Sequence, residues 1–160
     1  MWVVDDSATM YEEHELLMNS ADAFIGFVSN SVVDFRLGVV STDIEAGGGS
    51  LLGPVLTVES SQMVDTFVSQ IATDRAGSRD ERGFDAAVRA ADPAVNTEFA
   101  RAKADLEMVI FSDEDDHSSM NSTTFLSTLG HAVQPQGRRK LKFMQQLRKN
   151  RGSWGHGPCL

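Results

Sequence analysis

Cysteine is nearly missing from this chain of 160 residues. Cys159 stands alone next to the last residue, which excludes an internal disulfide and any thiolate zinc site. Long hydrophobic runs are missing too. The apolar stretches are strand-sized, so neither a membrane span nor a signal peptide is read, and a trimmed domain with its targeting segment elsewhere is expected. Positive charge is scarce over residues 1–133, where 7 Lys and Arg face all 23 Asp and Glu, a net −16. That balance excludes phosphate-backbone binding by the core, which needs clustered Lys and Arg. Residues 134–160 reverse it, with 7 basic residues and no acid.

What is present suits one globular domain, with 41% hydrophobic and 23% charged residues. The run Trp2-Val3-Val4 reads as a strand that stops at Asp5-Asp6-Ser7-Ala8-Thr9. Residues 11–28 follow as a helix, with Leu16, Leu17, Phe24, Phe27 and Val28 at roughly helical spacing and Glu12 and Glu13 at its favourable end. Residues 35–40 read as a second strand ending at Ser41-Thr42-Asp43, then a flexible turn at 47–50 and a short edge strand at 53–58 that contains Pro54. A helix capped by Ser60 or Ser61 runs to about residue 72, and another spans roughly 81–91, ending before Asp92-Pro93. Residues 106–111 form a buried-looking strand that stops at Ser112-Asp113-Glu114-Asp115-Asp116-His117, and a helix is expected at 123–133. Strands alternating with helices point to a parallel or mostly parallel sheet covered on both faces.

In such sheets ligands sit beyond the carboxyl ends of the strands. Asp5, Ser7 and Thr9 alternate along one turn, so two hydroxyls and a carboxylate can face one point. Hard cations such as Mg²⁺ take oxygen ligands and keep several waters, which makes this turn the first half of a metal site. Asp113 ends a second strand, and Gly77-Ser78 precedes a helix. This order of residues resembles the von Willebrand factor type A domain with its metal-ion-dependent adhesion site. That family places Asp-x-Ser-x-Ser after its first strand, a Thr in a later Gly-Thr-like loop, and an Asp after the apolar run of its fourth strand. Asp5, Ser7 and Thr9, then Ser78, then Asp113 take those places here, with Thr9 standing for Ser and Ser78 for Thr. The resemblance spans residues 2–130, including 35–42 and 99–118, which look like bacterial members.

The resemblance implies a three-layer, Rossmann-like α/β domain over residues 1–133, with a mostly parallel sheet and helices on both faces. It implies Mg²⁺, with Mn²⁺ or Ca²⁺ as substitutes, and a protein ligand that supplies an acidic side chain. It implies binding without catalysis, in adhesion or assembly, outside the cell or in its envelope. Neutral oxygens from Ser7, Thr9 and Ser78, with Asp5 and Asp113 acting mainly through waters and hydrogen bonds, would leave the cation able to accept a partner's carboxylate. Thr42, Asp43 and Asp115 could shape the partner-facing rim, with an ordinary turn as the other reading of Thr42 and Asp43; Asp6 points away from the ion or supports the turn, and Glu114 and Asp116 are solvated. The family adds one or two strands after the helix that follows Asp113. Nothing strand-like remains here, so the sheet is expected without its last strands.

Other readings start from the same residues. Val3-Val4-Asp5-Asp6-Ser7 also looks like the opening of a response-regulator receiver, a Mg²⁺-binding phosphoacceptor domain. Residues 54–58 hold no Asp, however, and no Lys precedes Lys103. Asp5, Ser7 and Thr9 could merely cap the first helix of a structural domain whose metal site is degenerate. His117 is a poor ligand for a hydroxyl and carboxylate site. His14, His131 and His156 have no evident partners, and Ser7 lacks the setting of a hydrolase nucleophile. The tail, residues 134–160, is expected to be partly helical or disordered. Phe143, Met144 and Leu147 would share one helical face among bases that could contact an anionic surface.

Overall fold

Among the described residues, four strands, Trp2–Val4 (β1), Val39–Ser41 (β2), Leu106–Phe111 (β3) and Leu141–Gln146 (β4), form one sheet in the order β2-β1-β3-β4. Every pairing within it is parallel. This computed structural model describes residues 1–72, 80–99, 101, 104–133 and 141–146. Its helices are Tyr11–Ser29 (α1), Met63–Ile71 (α2), Gly83–Ala90 (α3) and Ser122–Val133 (α4). The fold is therefore α/β, Rossmann-like and three-layered.

Alternation along the strands divides the core in two. Val3, Val40, Met108 and Ile110 pack with Phe84, Ala87, Phe125 and Leu129 from α3 and α4. Val4 and Val39 face the other way, onto Ala21 and Ile25 of α1 and Phe67 and Ile71 of α2. Trp2 joins this second layer, edge-on to Phe24 at 5.3 Å and to Phe67 at 5.7 Å. A strand buried on both faces has no polar side to show, which is why β1 reads as an unbroken apolar run.

Several elements depart from the expectation. In α1 the buried stripe is His14, Ala21 and Ile25, while Leu16 and Phe27 are 67% and 77% exposed. Spacing alone had placed Leu16 and Phe27 on the apolar face, but the sheet sits nearer the 14-21-25 stripe. The edge strand expected at 53–58 reduces to one antiparallel bridge, Leu37 with Leu56, joined by two 2.8 Å backbone bonds. Pro54 has no N–H with which to extend a ladder. Ser60 does not cap α2. Its hydroxyl accepts the Thr57 amide at 2.9 Å and closes a turn. Residues 141–146, expected to be helical, are strand β4, paired with all six positions of β3. Short apolar runs do not separate helix from strand by period, and pairing satisfies the backbone groups along the β3 edge. No helix among the described residues is long and apolar enough to cross a membrane.

The turn expected to be flexible is pinned instead. Asp43 Oδ1 accepts the amides of Glu45 and Ala46, at 3.0 and 3.1 Å. Buried Asn96 accepts the Leu51 amide at 3.1 Å and donates to the carbonyls of Gly49 (2.7 Å) and Ala90 (3.0 Å). Gly49 has φ +81°, and a Cβ there would lie 2.8 Å from the Arg89 Cβ. Only glycine fits this close pass against α3.

Candidate metal centre

The chain leaves β1 for β2 on one side and later returns to place β3 on the other, so the carboxyl ends of β1 and β3 flank the crevice where strand order switches. Asp5 to Thr9 follow β1 there, and Ser112 and Asp113 follow β3. Main-chain bonds hold the two ends together, with the Asp5 amide donating to the Phe111 carbonyl at 3.0 Å.

Asp5 is fully buried and its two oxygens are both engaged. Oδ1 accepts the Ser7 amide at 2.8 Å, and Oδ2 accepts the Ser112 hydroxyl at 2.6 Å. The buried His14 ring lies 2.7 Å through Nε2 from the Asp5 carbonyl. A carboxylate held on both oxygens, on a residue whose main chain is held as well, serves to orient its neighbours. Ser7 and Thr9 hydroxyls lie 2.9 Å apart, and Thr9 donates to Asp113 Oδ1 at 3.3 Å. Thr9 has one hydroxyl proton and directs it to Asp113, so Ser7 is the donor within its pair. Neither Ser7 nor Met10, at the starts of the short 3-10 turn Ala8–Met10 and of α1, makes a side-chain capping bond. The hydroxyls face each other rather than the helix end.

Of the expected ligands, Ser7, Thr9 and Asp113 are thus brought together, with Asp5 behind them. Ser78 lies outside the described residues. Among the expected rim residues, Thr42 and Asp43 are buried, at 1% and 8% exposure, and present no side chain to a partner, while Asp115 is exposed. Asp116 is not a solvated acid: it accepts the Phe84 amide at 3.1 Å and the Ser118 hydroxyl at 3.0 Å, tying β3's loop to the start of α3. Asp6 Oδ2 accepts the Ser41 hydroxyl at 2.8 Å, which ties the turn to the end of β2.

The electrostatics are those of crowded acids. Burial, reinforced by Asp43 and Asp5, pushes the Asp6 carboxyl above the usual carboxylate range against the Ser41 hydrogen bond. Asp113 is also pushed up, by burial first and then by Asp5, with the Thr9 hydroxyl opposing. Glu81 is 1% exposed and is pushed up to about 8, chiefly by burial, with Asp5 and Asp6 adding to the effect. Its Oε2 accepts the Thr42 hydroxyl, and its Oε1 is buried with no hydrogen-bond partner. Nearby positive charge would relieve all three.

Among the described residues no group of three or more His, Cys, Asp or Glu is arranged to hold a metal ion. Two hydroxyls and one carboxylate on a water-accessible rim match the oxygen chemistry of Mg²⁺, which needs few protein ligands because it retains water. The residues fit. Sequence reasoning missed Ser112, His14 and Glu81. His14 was findable, because it falls seven residues before Ala21 and eleven before Ile25 on the buried stripe. Ser112 and Glu81 carried no such signal. No protein-family model matches the sequence, and a comparison with curated proteins finds no significant match.

Proposed function

We propose that the chain is a metal-dependent protein-binding domain of the von Willebrand factor type A kind, holding Mg²⁺ through Ser7 and Thr9 with Asp5 and Asp113 in support. By the resemblance, Ser78 completes the set. The single observation that carries this reading is the hydroxyl chain from Ser7 through Thr9 to Asp113, which joins the ends of two parallel strands beside an Asp5 with no free oxygen.

When bound, the ion supplies an open coordination position for a carboxylate oxygen of the partner. This chain's residues do the rest. Asp5 fixes the Ser7 backbone and is itself fixed by Ser112, so its charge is committed to orientation. Ser7 and Thr9 offer neutral oxygens, which leaves much of a cation's charge uncompensated. A partner with an acidic side chain gains most from such a centre, and the reading assigns binding with no turnover. By the same resemblance its setting is the cell envelope or the cell exterior, in adhesion or assembly.

Thermal unfolding in EDTA, Mg²⁺, Mn²⁺ and Ca²⁺ tests it. A cation that binds only the folded state at about 100 times its Kd stabilises by about 2.7 kcal/mol, which raises Tm by several degrees. Mg²⁺ or Mn²⁺ at millimolar concentration is expected to do so, and Ser7→Ala and Thr9→Ala to abolish the rise while still folding. An unchanged Tm with every cation overturns the reading.

A further inference from the structure

Asp6 follows Asp5 in the chain yet serves the other neighbour of β1. Its Oδ2 accepts the Ser41 hydroxyl at 2.8 Å, and that hydroxyl in turn accepts the Asp43 amide at 2.9 Å, at the end of β2. Oδ1 is buried with no hydrogen-bond partner, and no basic side chain among the described residues forms an ion pair with Asp6. A carboxylate offers about four acceptor positions, of which Ser41 fills one. The tie to β2 does not call for a charge, because an asparagine oxygen would accept the same hydroxyl. A buried carboxyl left this short of donors carries a desolvation penalty, so the charge itself needs a reason.

The reason lies in the space beside it. Asp6 and Ser41 line a cavity of about 470 Å³ together with Gly47, Ser50, Leu51 and Leu52 from the chain that follows β2. The volume is that of a site for a side chain or a small ligand. Its loop is already pinned by Asp43 and Asn96, so the space exists before anything enters. Asp6 is 8% exposed. A flat partner surface resting on the rim would not reach it, whereas a long side chain entering the cavity would. Among the described residues no Lys or Arg lines the space, and no group of three or more acids or histidines there is arranged for a metal ion. A Lys or Arg side chain matches both halves of the lining, because its stem is apolar and its tip is a charged donor.

We propose that this cavity takes a basic side chain, Lys or Arg, from the protein partner, with the stem along Leu51 and Leu52 and the terminal N–H groups donating to the Asp6 carboxyl. That the side chain comes from a protein partner rests on the reading above, while the cavity and its carboxyl stand without it. Strands β2 and β3 flank β1 at about 4.8 Å each, so the cavity on the β2 side and Asp113 on the β3 side lie about 10 Å apart. A partner engaging both carries an acid and a base at about that separation.

Amide NMR titration of the full chain in EDTA tests the assignment, with acetyl-lysine amide and acetyl-arginine amide as basic probes and acetyl-norleucine amide as their uncharged counterpart. The basic probes should shift the amides of Asp6 and residues 46–52 saturably, with millimolar Kd, and the norleucine probe should bind at least about 10-fold more weakly. Asp6→Asn keeps an acceptor for Ser41 and removes the charge, so it should weaken the basic probes by at least about 10-fold. Should Asp6→Asn not fold, Ser50→Trp fills the cavity from an exposed position with Asp6 in place, and is expected to abolish the shifts. Saturating Mg²⁺ should move the Ser7 and Thr9 amides yet weaken the basic probes by less than about 3-fold, since about 10 Å of separation exceeds the Debye length at physiological salt. The assignment is overturned by basic probes that give no saturable shift, by a norleucine probe that binds as well as they do, or by either variant binding like the parent. Displacement of the probes by Mg²⁺ overturns it too, because it seats them on the acids of the metal centre. Mg²⁺ that moves neither Ser7 nor Thr9 overturns the metal reading instead, and the titration in EDTA still decides the cavity.

Discussion

At the scale of single residues, the centre is a set of acids whose proton affinities have been moved by burial and by one another. Glu81 is the extreme case. Its folded-state pKa, about 8, lies well above the usual glutamate value of 4.5. Between those limits the folded chain holds a proton that the unfolded chain has released, so stability falls as pH rises through the window. The slope from one such group is at most about 1.4 kcal/mol per pH unit. Asp6 and Asp113, also shifted upward, contribute with the same sign. Urea unfolding in EDTA should therefore show the parent losing stability from about pH 5 to about pH 8. Glu81→Gln should flatten that loss and be the more stable protein at the upper end. A parent whose stability rises over the window contradicts this account of Glu81.

At the scale of elements, the rim depends on how loops are fastened to helices. The 43–51 loop looks loose in sequence because it contains Gly47, Gly48 and Gly49. It is instead fastened twice, by Asp43 at its start and by Asn96 from beyond α3. Asn96→Ala removes three hydrogen bonds, two of them buried, and leaves two carbonyls and an amide without their partner. At about 1 kcal/mol each, the expected loss is roughly 2–3 kcal/mol in urea unfolding. Exchange protection at Leu51 should fall with it, and a loss below about 0.5 kcal/mol would show that water replaces Asn96 without penalty. The acids of this loop and of the β3 loop were legible as strand-end residues. That Asp43 and Asp116 are spent on backbone amides was not, since their partners come from turns and from α3.

At the scale of the whole molecule, β4 closes one side of the sheet along β3, and removing it would leave six positions of β3 with an open edge. Truncation after Val133 is expected to lower Tm and to promote self-association, read by light scattering. A truncated chain that stays monomeric with the parent's Tm would show that β4 contributes nothing to the sheet. The α/β class and its layers follow from what the sequence by itself determined: apolar runs of strand length, helical stripes between them, and acids or hydroxyls where each run stops. These are local patterns, set by the periods of strand and helix, and so they are visible without neighbours. The nearness of Asp5, Ser7 and Thr9 was equally local, because one turn contains them. Only the tertiary structure decided that Asp113 meets Thr9, that Ser112 occupies the second oxygen of Asp5, and that Glu81 is buried against Thr42. Those contacts join residues 39 to 107 positions apart, and what brings them together is burial of both sheet faces, to which the polar residues at the rim contribute no pattern of their own.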